Sequence, residues 1–396
     1  MLPKDWHRST LGEIARITSG GTPDRSKPEY WGGDIPWVTT GEIQFNTITE
    51  SAERITQAGL QNSSAKRFPP GTLLMAMYGQ GKTRGQVAKL GIEAATNQAC
   101  AAIQLQDHYD PDFYFQYLSS QYEEIRELGN AGTQKNLSGG ILKGVPVPVP
   151  PHREQRRIAQ ILSTWDQAIA AAERLVANGQ RQKQGLTQAL ISDSSRKSRG
   201  KASLHREHAS LIFSPRSVRR NDGLELLSVM QDIGVVPRSS LDRKVVMPEG
   251  STDGYKLVEP GDFVISLRSF EGGLEYSRFR GLVSPAYTVL KSAKPIVEDF
   301  YRHYFKSQEF IGRLAVAVIG IRDGKQISYD DFEFLRLPYP PISEQQTIAD
   351  VLNAAEQAVK RHEAYLQLLR REKAALMSQL LTGKRRVELP AEEVAA

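Results

Sequence analysis

A glycine-rich segment at residues 78–86 holds the side chains best suited to chemistry. It reads YGQGKTRGQ and follows a short apolar run. The glycines allow the backbone to approach a ligand closely, and glutamine, lysine and arginine match base edges and phosphate oxygens. An arginine here could pair with guanine, and a glutamine with adenine. We call this segment the glycine loop and predict nucleic-acid contacts from Tyr78, Gln80, Lys82, Thr83, Arg84 and Gln86.

The same segment also fits a relaxed phosphate-binding loop, with Ala76 in place of the first glycine and Lys82 near the end. In a nucleotide-binding enzyme, a helix follows such a loop and its N-terminus holds the phosphate. Here Gly85 and Gly91 interrupt the continuation, which predicts a turn and a strand instead. ATP binding is therefore kept as the weaker alternative.

Further loops in both halves of the chain carry polar side chains of the same kind, and we predict nucleic-acid contacts there too. In the first half the candidates are Thr39, Thr40, Gln134, Lys135 and Asn136. In the second half they are Arg268, Ser269, Arg322, Lys325 and Gln326. For every loop, a solvated surface without any contact remains the alternative reading.

Aromatic, histidine and cysteine residues are weaker candidates for function. Trp31, Trp37 and Tyr78 could stack on an extruded base, although packing in the core is the expected role. His205 and His208 lack the His-Glu-x-x-His spacing of a zinc site. A glycine-rich S-adenosylmethionine loop and an Asn/Asp-Pro-Pro-aromatic motif are both missing from the sequence. We therefore expect no catalytic residue, no metal site and no cofactor in this chain.

The elements that must position these loops are encoded twice. Residues 148–162 read PVPPHREQRRIAQIL, and residues 338–352 read PYPPISEQQTIADVL, an offset of 190 residues. The same offset relates residues 70–75 to residues 260–265. A duplicated unit predicts a molecule with pseudo-twofold character, which suits a duplex with two half-sites or two copies of a partner.

Each proline-rich segment is followed by the pattern of a long amphipathic helix. Apolar residues recur at three- and four-residue spacing, and Glu154 and Glu344 lie in the first turn, where an acidic side chain suits the helix dipole. A helix of about 35 residues is roughly 50 Å long, which favours a coiled coil. The residues expected to form helix contacts are Ile158, Leu162, Trp165, Ile169, Ile348, Leu352, Val359 and Leu366.

These patterns predict an α+β fold in which two mixed α/β domains are joined by two long helices that form a coiled coil. Within the mixed domains, residues 111–128 and 296–318 each predict one amphipathic helix. The basic residues between the two halves, from Arg196 to Arg206, are expected to be solvated, with phosphate contact as the alternative. The predicted parts are a first mixed domain (1–148), a first long helix (149–191), a basic linker (192–204), a second mixed domain (205–337), a second long helix (338–383) and a tail (384–396).

Composition narrows the class of protein. The 396 residues carry a net charge of +6, which mildly favours an acidic partner such as nucleic acid. An apolar run of about 18 residues, long enough to cross a membrane, is missing from the sequence. The single cysteine, Cys100, excludes an internal disulfide framework and lies in an apolar run, so we predict a buried structural residue. A cytoplasmic location is therefore expected.

The duplicated Pro-Pro-x-x-Glu-Gln-x-x-Ile-Ala-x-hydrophobic-Leu motif resembles the specificity subunits of type I restriction–modification systems. Further matches are LGEI at residues 11–14, TSGGTP at residues 18–23, VSPAY at residues 283–287 and LLTG at residues 380–383. The resemblance extends over essentially the whole chain.

The resemblance implies two target-recognition domains, each reading one half of a split DNA sequence. The antiparallel helices would act as a ruler for the gap and would dock two methyltransferase subunits, with two motor-nuclease subunits joining in the full complex. Such a subunit performs no chemistry; its partners use S-adenosylmethionine, and ATP and Mg²⁺ where a restriction subunit is present. The alternative is a non-catalytic coiled-coil scaffold that binds protein partners.

Overall fold

The computed structural model divides the chain into two compact units. The first unit is Met1–Ala172 with Tyr365–Ala396, and the second is Glu173–Ala364. Each unit therefore combines one mixed region with the start of one long helix and the end of the other. The described residues are 2–79, 81–129, 136–219, 223–231, 233–241, 253–267, 269–318 and 327–388.

The strands of the first unit are short, because glycine and proline interrupt its apolar runs. They are β1 (His7–Thr10), β2 (Ala15–Ser19), β3 (Trp31–Val38), β4 (Thr47–Ile48), β5 (Glu53–Ile55), β6 (Arg67–Phe68), β7 (Leu73–Ala76), β8 (Val87–Leu90), β9 (Ala94–Thr96), β10 (Cys100–Leu105) and β11 (Pro146–Val149). The helices are α1 (Leu11–Ile14), α2 (Gln57–Gln61), α3 (Pro111–Ser120), α4 (Tyr122–Leu128), α5 (Gly139–Lys143) and α6 (His152–Ile191), which continues into the second unit, with 3-10 turns at Pro28–Tyr30 and Thr40–Glu42.

These strands form two larger sheets and one small one. The first sheet has the order β2-β10-β7-β8-β4 and the second the order β5-β3-β9-β6, while β1 pairs with β11. In the first sheet Ile103 is in register with Leu73 on one side and with Ile17 on the other. Alternate residues of β10 point to opposite faces. Ile103 consequently joins the core shared with α3 and α6, whereas Ala102 joins a second core between the sheets.

Among the described residues, the strands of the second unit form one four-stranded sheet and three two-stranded sheets. Its strands are β12 (Arg206–His208), β13 (Phe213–Arg216), β14 (Leu227–Met230), β15 (Gly234–Pro237), β16 (Lys256–Val258), β17 (Phe263–Ile265), β18 (Glu275–Tyr276), β19 (Gly281–Val283), β20 (Thr288–Ser292) and β21 (Arg336–Pro338). Its helices are α7 (Asp193–Ser198), α8 (Ala209–Ile212), α9 (Ser269–Gly272), α10 (Glu298–Tyr304), α11 (Gln308–Val318), α12 (Tyr329–Glu333) and α13 (Ile342–Leu380), which ends in the first unit, with a 3-10 turn at Arg238–Ser240.

The main sheet of the second unit has the order β13-β20-β17-β18. Its inner face carries an aromatic core in which Phe213 contacts the rings of Phe263, Tyr301 and Phe305 at centroid distances of 5.1–5.6 Å. Edge-to-face arrangements of this kind add to the stabilisation that area burial supplies.

Serine residues divide both helices predicted within the mixed regions, so the prediction of one helix in each was wrong. In residues 111–128 the hydroxyls of Ser119 and Ser120 donate to helix carbonyls, and α3 ends before α4 begins. In residues 296–318 the hydroxyl of Ser307 accepts from the backbone N–H of Phe310 and caps α11. Serine competes with helical hydrogen bonds and favours caps, which the apolar periodicity does not reveal.

A buried glutamine anchors the start of each long helix. The side chain of Gln155 donates to the carbonyl of Pro150 at 2.8 Å and accepts from the N–H of Asp110, the N-cap of α3, at 2.9 Å. Gln345 makes the same pair of bonds, to Pro340 at 2.9 Å and from Val297, the N-cap of α10, at 2.9 Å. In each unit, the glutamine of the repeated motif thus connects the start of the long helix to the prolines just before it and to a helix of the mixed region.

The glutamate of the motif pairs with an arginine that follows the other long helix. In the first unit Glu154, which is 2% exposed, accepts from Arg386 at 2.7 and 2.9 Å and from the indole N–H of Trp6 at 2.9 Å. In the second unit Glu344 accepts from Arg196 at 2.8 Å. The two arginines, like the two glutamates, are 190 residues apart. The segment predicted as a basic linker is therefore partly helical (α7), and Arg196 is buried at the end of an ion pair.

Within each unit, the start of one long helix packs against the end of the other, so the two segments are antiparallel. In the first unit Ile158 and Leu162 share a core with Leu380 and Leu381. In the second unit Ile348 and Leu352 share a core with Ile191.

The remaining residues predicted for helix contact are less deeply buried. Val359 is 7% and Leu366 8% exposed, and Trp165 and Ile169 are half-buried. Gly179 lies within α6, where an added Cβ would stand 3.1 Å from a methyl group of Val359. A glycine at this position thus allows α6 and α13 to approach closely within the second unit.

Replacing Arg386 by alanine should destabilise the first unit, because the Glu154 carboxylate would remain buried with only the Trp6 N–H as a side-chain donor. Loss of these charge-assisted bonds should lower the free energy of unfolding by about 2 kcal/mol. Trp6, Trp31, Trp37 and Trp165 all lie in this unit, so tryptophan fluorescence during urea unfolding reports on it alone. The exposed Lys384→Ala is the control, and an equal effect of both changes would contradict the role of the ion pair.

A buried histidine should make the second unit sensitive to acid. Burial lowers the pKa of His303 to about 4, with the Arg302 charge acting in the same direction, and its Nε2 lies 2.9 Å from Oδ1 of Asn353. Between pH 6.5 and 4 the unfolded chain binds the proton and the folded unit does not, so stability falls as the pH falls through that window. The loss should reach about 3 kcal/mol.

Urea unfolding at pH 7 and pH 4.5, followed by circular dichroism, measures this effect, and tryptophan fluorescence separates the first unit. His303→Gln, which keeps a donor for Asn353, should reduce the pH dependence of the circular dichroism transition. The same pH dependence in the variant and the parent protein would assign the effect to other groups.

Candidate nucleic-acid interface

The glycine loop connects β7 and β8, two antiparallel neighbours in the first sheet. Three of its glycines have positive φ angles, +141° at Gly79, +66° at Gly81 and +87° at Gly85. The backbone returns to the sheet through bonds between Ala76 and Gly85 (2.9 Å) and between Ala76 and Gln86 (3.0 Å). A strand, β8, follows the loop, so Lys82 and Thr83 do not precede a helix N-terminus as they would in a phosphate-binding loop.

Helix α4 holds the glycine loop from one side. The hydroxyl of Tyr122 donates to the carbonyl of Lys82 at 2.5 Å, and the guanidinium of Arg126 donates to the carbonyl of Gly81. Arg126 also donates to the Tyr122 hydroxyl at 2.8 Å. Ile125, on the same helix, is 1% exposed and lies in the main core of the unit. The loop is therefore tied to an element that is itself anchored.

A second candidate loop reaches the same helix. Residues 39–46, the threonine loop, begin with a capping box in which Glu42 accepts from the backbone N–H of Thr39 at 2.7 Å and from its hydroxyl at 3.1 Å. Phe45 has a φ of +56°, which is strained for a residue with a side chain. Its ring is 39% exposed and meets the ring of Tyr122 edge-to-face at a centroid distance of 5.3 Å. Tyr122 thus contacts both loops.

A third candidate loop returns beside the first. The backbone N–H of Leu137 donates to the carbonyl of Met77 at 3.0 Å, which places Asn136 next to the start of the glycine loop. The structure therefore brings Asn136 beside the glycine loop, and Tyr122 connects that loop to Phe45 of the threonine loop. Gln80, Gln134 and Lys135 lie outside the described residues.

The candidates differ in how much of each side chain is open to a ligand. Tyr78 is 40% exposed and Lys82 is also exposed, whereas Thr39, Thr40, Thr83, Gln86 and Asn136 are half-buried. Arg84 is only 7% exposed, so little of its guanidinium is open to a base edge in this structure. Lys82 and Tyr78 are consequently the members of the glycine loop best placed for a first contact.

The second unit places its candidates differently. Ser269 is 0% exposed, and its hydroxyl accepts from the backbone N–H of Ser266 at 2.8 Å, so it stabilises its own turn. Next to this turn, Lys306 donates to the carbonyls of Gln231 (2.7 Å) and Gly272 (3.0 Å) and also to the carboxylate of Glu275. The remaining second-half candidates lie outside the described residues: Arg268, Arg322, Lys325 and Gln326.

Two other residues considered for function are buried in the first unit. Trp37 is 2% exposed and donates from its indole to the carbonyl of Gly21 at 2.9 Å, so it belongs to the core. Cys100 is 0% exposed, and burial raises the pKa of its thiol to about 12, which keeps it protonated at neutral pH.

Within the described residues, no group of three or more His, Cys, Asp and Glu side chains could hold a metal ion. His205 lies 3.6 Å from Glu207, and Glu207 is paired with Lys294. No helix in the described part of the chain is long and apolar enough to cross a membrane.

Four residues that contact these loops or turns were not predicted from the sequence: Phe45, Tyr122, Arg126 and Lys306. A usable signal existed for one pair, because Tyr122 and Arg126 are four residues apart in a predicted helix and must share a face. Nothing in the sequence indicates that this face meets the glycine loop, because the contact joins residues about 40 positions apart, as in the bond from Tyr122 to Lys82.

Comparison with known proteins identifies the domain type. Residues 3–177 match the family model of the type I restriction modification DNA specificity domain. The type I restriction enzyme MjaIX specificity subunit of Methanocaldococcus jannaschii is 30% identical over 173 residues, which are 42% of this chain and 39% of that protein. The putative MjaX specificity subunit of the same organism is 24% identical over 429 residues, covering 98% of this chain and 95% of that protein.

Solved structures share the fold over the full chain. A type I restriction–modification system S subunit from M. genitalium has a TM-score of 0.59 at 15% identity, covering 98% of this chain and 100% of that one. A second chain, from a study of complex assembly and conformational transition of the type I restriction–modification system, has a TM-score of 0.60 at 17% identity, with coverages of 97% and 100%. The α+β fold predicted from the sequence is confirmed.

Lys82→Ala should weaken the binding of duplex DNA of any sequence, because we expect its exposed ammonium group to contact phosphate, a contact that carries no sequence information. Loss of one phosphate contact should reduce the slope of log K against log salt concentration by about 0.9. Fluorescence anisotropy with labelled duplexes at several salt concentrations measures both quantities. Lys66→Ala is the matched control, since Lys66 is exposed beside β6 in the other large sheet. An equal loss of DNA affinity in both variants would show that the effect depends only on the net charge of the protein.

Proposed function

Because the chain belongs with the specificity subunits of type I restriction–modification systems, we propose that it directs such a complex to a split DNA sequence. Each unit would read one half of that sequence, and the chain would carry out no reaction of its own. The observation that carries the proposal is the match of residues 3–177 to a DNA specificity domain, combined with a second unit built on the same repeated motif.

The duplication supports a site with two different halves. The helix starts are nearly identical in their contacts, as Gln155 and Gln345 illustrate. The loops differ, since the glycine loop of the first unit corresponds to a turn closed by Ser269 and Lys306 in the second. Similar helix starts that carry different loops favour an asymmetric DNA sequence. Side chains in the loops read bases, whereas contacts with phosphate carry no sequence information.

The long helices would set the distance between half-sites and dock partners. One face of a DNA duplex recurs about every 34–36 Å, a distance that helices of 40 and 39 residues can span at about 1.5 Å per residue. Leu175 on α6 and Tyr365 on α13 are 46% and 51% exposed and differ by the repeat offset of 190. The same position of each repeat therefore offers an apolar side chain to a partner, which favours two equivalent docking sites.

The partners proposed for these sites are two methyltransferase subunits that use S-adenosylmethionine. Two restriction subunits that use ATP and Mg²⁺ would join where the system includes them. The ligand of the whole assembly is double-stranded DNA, and we expect it to act in the cytoplasm. The scaffold alternative lacks support from the comparisons, in which the matched domain is a DNA specificity domain.

Co-expression with the cognate methyltransferase subunit should produce N6-methyladenine in a new split motif, two short defined blocks around a fixed gap. Sequencing of modified bases in genomic DNA measures this, and cells that express the methyltransferase without this chain are the control. Methylation that does not depend on the chain, in cells where the complex assembles, would contradict the proposed function.

A further inference from the structure

Tyr122 stands between two loops that come from distant parts of the chain. Its ring packs against Phe45 of the threonine loop, and its hydroxyl donates to the Lys82 carbonyl of the glycine loop. Arg126, one turn further along α4, donates to the neighbouring carbonyl of Gly81 and to the Tyr122 hydroxyl. Two successive carbonyls of the glycine loop are therefore held by one helix face, which we call the α4 brace (Tyr122 and Arg126).

The glycine loop needs such external support. Gly79, Gly81 and Gly85 have positive φ angles. Glycine loses more conformational entropy than other residues when its backbone is fixed, so ordering this loop is costly. Among the described residues of the loop, backbone bonds join Ala76 to Gly85 and Gln86 and Gln86 to the carbonyl of Thr83. The carbonyls of Gly81 and Lys82 accept from side chains instead. Fixing the carbonyls of Gly81 and Lys82 limits where the exposed side chain of Lys82 can point.

The Tyr122 hydroxyl and both terminal nitrogens of Arg126 donate hydrogen bonds within the protein. Arg126 is half-buried, lies over the Tyr122 ring at 5.7 Å and uses both terminal nitrogens on Gly81 and Tyr122. An arginine that contacted phosphate directly would instead present its fork to solvent. The geometry therefore favours an effect on DNA through the two loops.

We infer that Tyr122 and Arg126 are positioning residues that fix the glycine loop relative to the threonine loop and thereby determine discrimination at the first half-site. This inference rests on the proposed function. Its ligand is duplex DNA at the half-site read by the first unit. We expect no effect on the second half-site, because the described contacts of the brace are all with residues of the first unit.

The test uses the complete chain assembled with its methyltransferase subunit, on duplexes that carry single mismatches in either half of the motif mapped for the parent protein. Tyr122→Phe removes the hydroxyl and keeps the ring beside Phe45. Arg126→Gln removes the donor pair, and Arg126→Lys restores one cationic donor. Tyr117→Phe is the matched control, because the Tyr117 hydroxyl also donates to a backbone carbonyl of this unit, that of Pro146, at 3.1 Å.

Methylation rates on matched and mismatched duplexes give the discrimination at each half-site. Tyr122→Phe and Arg126→Gln should each lower discrimination at the first half-site by about three- to tenfold, the effect of one net hydrogen bond. Discrimination at the second half-site should stay unchanged, Arg126→Lys should give an intermediate value, and Tyr117→Phe should match the parent protein. Thermal unfolding by tryptophan fluorescence verifies that the first unit is folded in each variant.

Unchanged discrimination in both Tyr122→Phe and Arg126→Gln would overturn the inference. An equal loss at both half-sites, or an equal loss in Tyr117→Phe, would also overturn it, because the effect would then be general destabilisation. If the parent protein itself produces no chain-dependent motif while it assembles, the proposed function fails, and that result is distinct from a parent motif that the variants leave intact.

Discussion

The two buried glutamines at the helix starts are the contacts on which the remaining architecture depends. Gln155 and Gln345 each bond to the backbone N–H at the N-cap of a domain helix and to the carbonyl of a proline just before the long helix. Buried amides are costly unless both ends are bonded, so each glutamine fits only one geometry. These bonds tie the start of each long helix to the mixed region that precedes it.

The glutamates beside them link the two repeats in a crossed manner. Each carboxylate is built into one repeat and neutralised by an arginine that follows the opposite helix, Arg386 for Glu154 and Arg196 for Glu344. Glu154 is buried, so loss of its cation would leave an unpaired charge and strongly destabilise the first unit, whereas the partly exposed Glu344 depends less on its cation. The pairs therefore specify which helix end belongs beside which helix start, a choice that apolar contacts alone leave less defined.

Sequence reasoning worked where the information is local or repeated. The Pro-Pro-x-x-Glu-Gln motif and the apolar periodicity predicted both long helices, because a helix start and a helix face are readable over a few turns. It failed at Ser119 and Ser307, where side-chain bonds divide helices, and at Arg196, whose partner lies 148 residues away. For the interface, the glycine loop was recognisable by composition, whereas the contact of Tyr122 with Phe45 and Lys82 depends on tertiary structure. Whether the loop residues contact DNA stays a prediction.

The first unit is assembled from two segments that the second unit separates along the chain. Residues up to Ala172 leave the ribosome before the second unit, whereas the residues from Tyr365 onward that cover Ile158 and Leu162 leave it afterwards. The second unit, which is continuous from Glu173 to Ala364, can close in between. Until the residues from Tyr365 onward are made, the start of α6 keeps an apolar face uncovered. A product that ends before Tyr365 therefore lacks part of the core of the first unit.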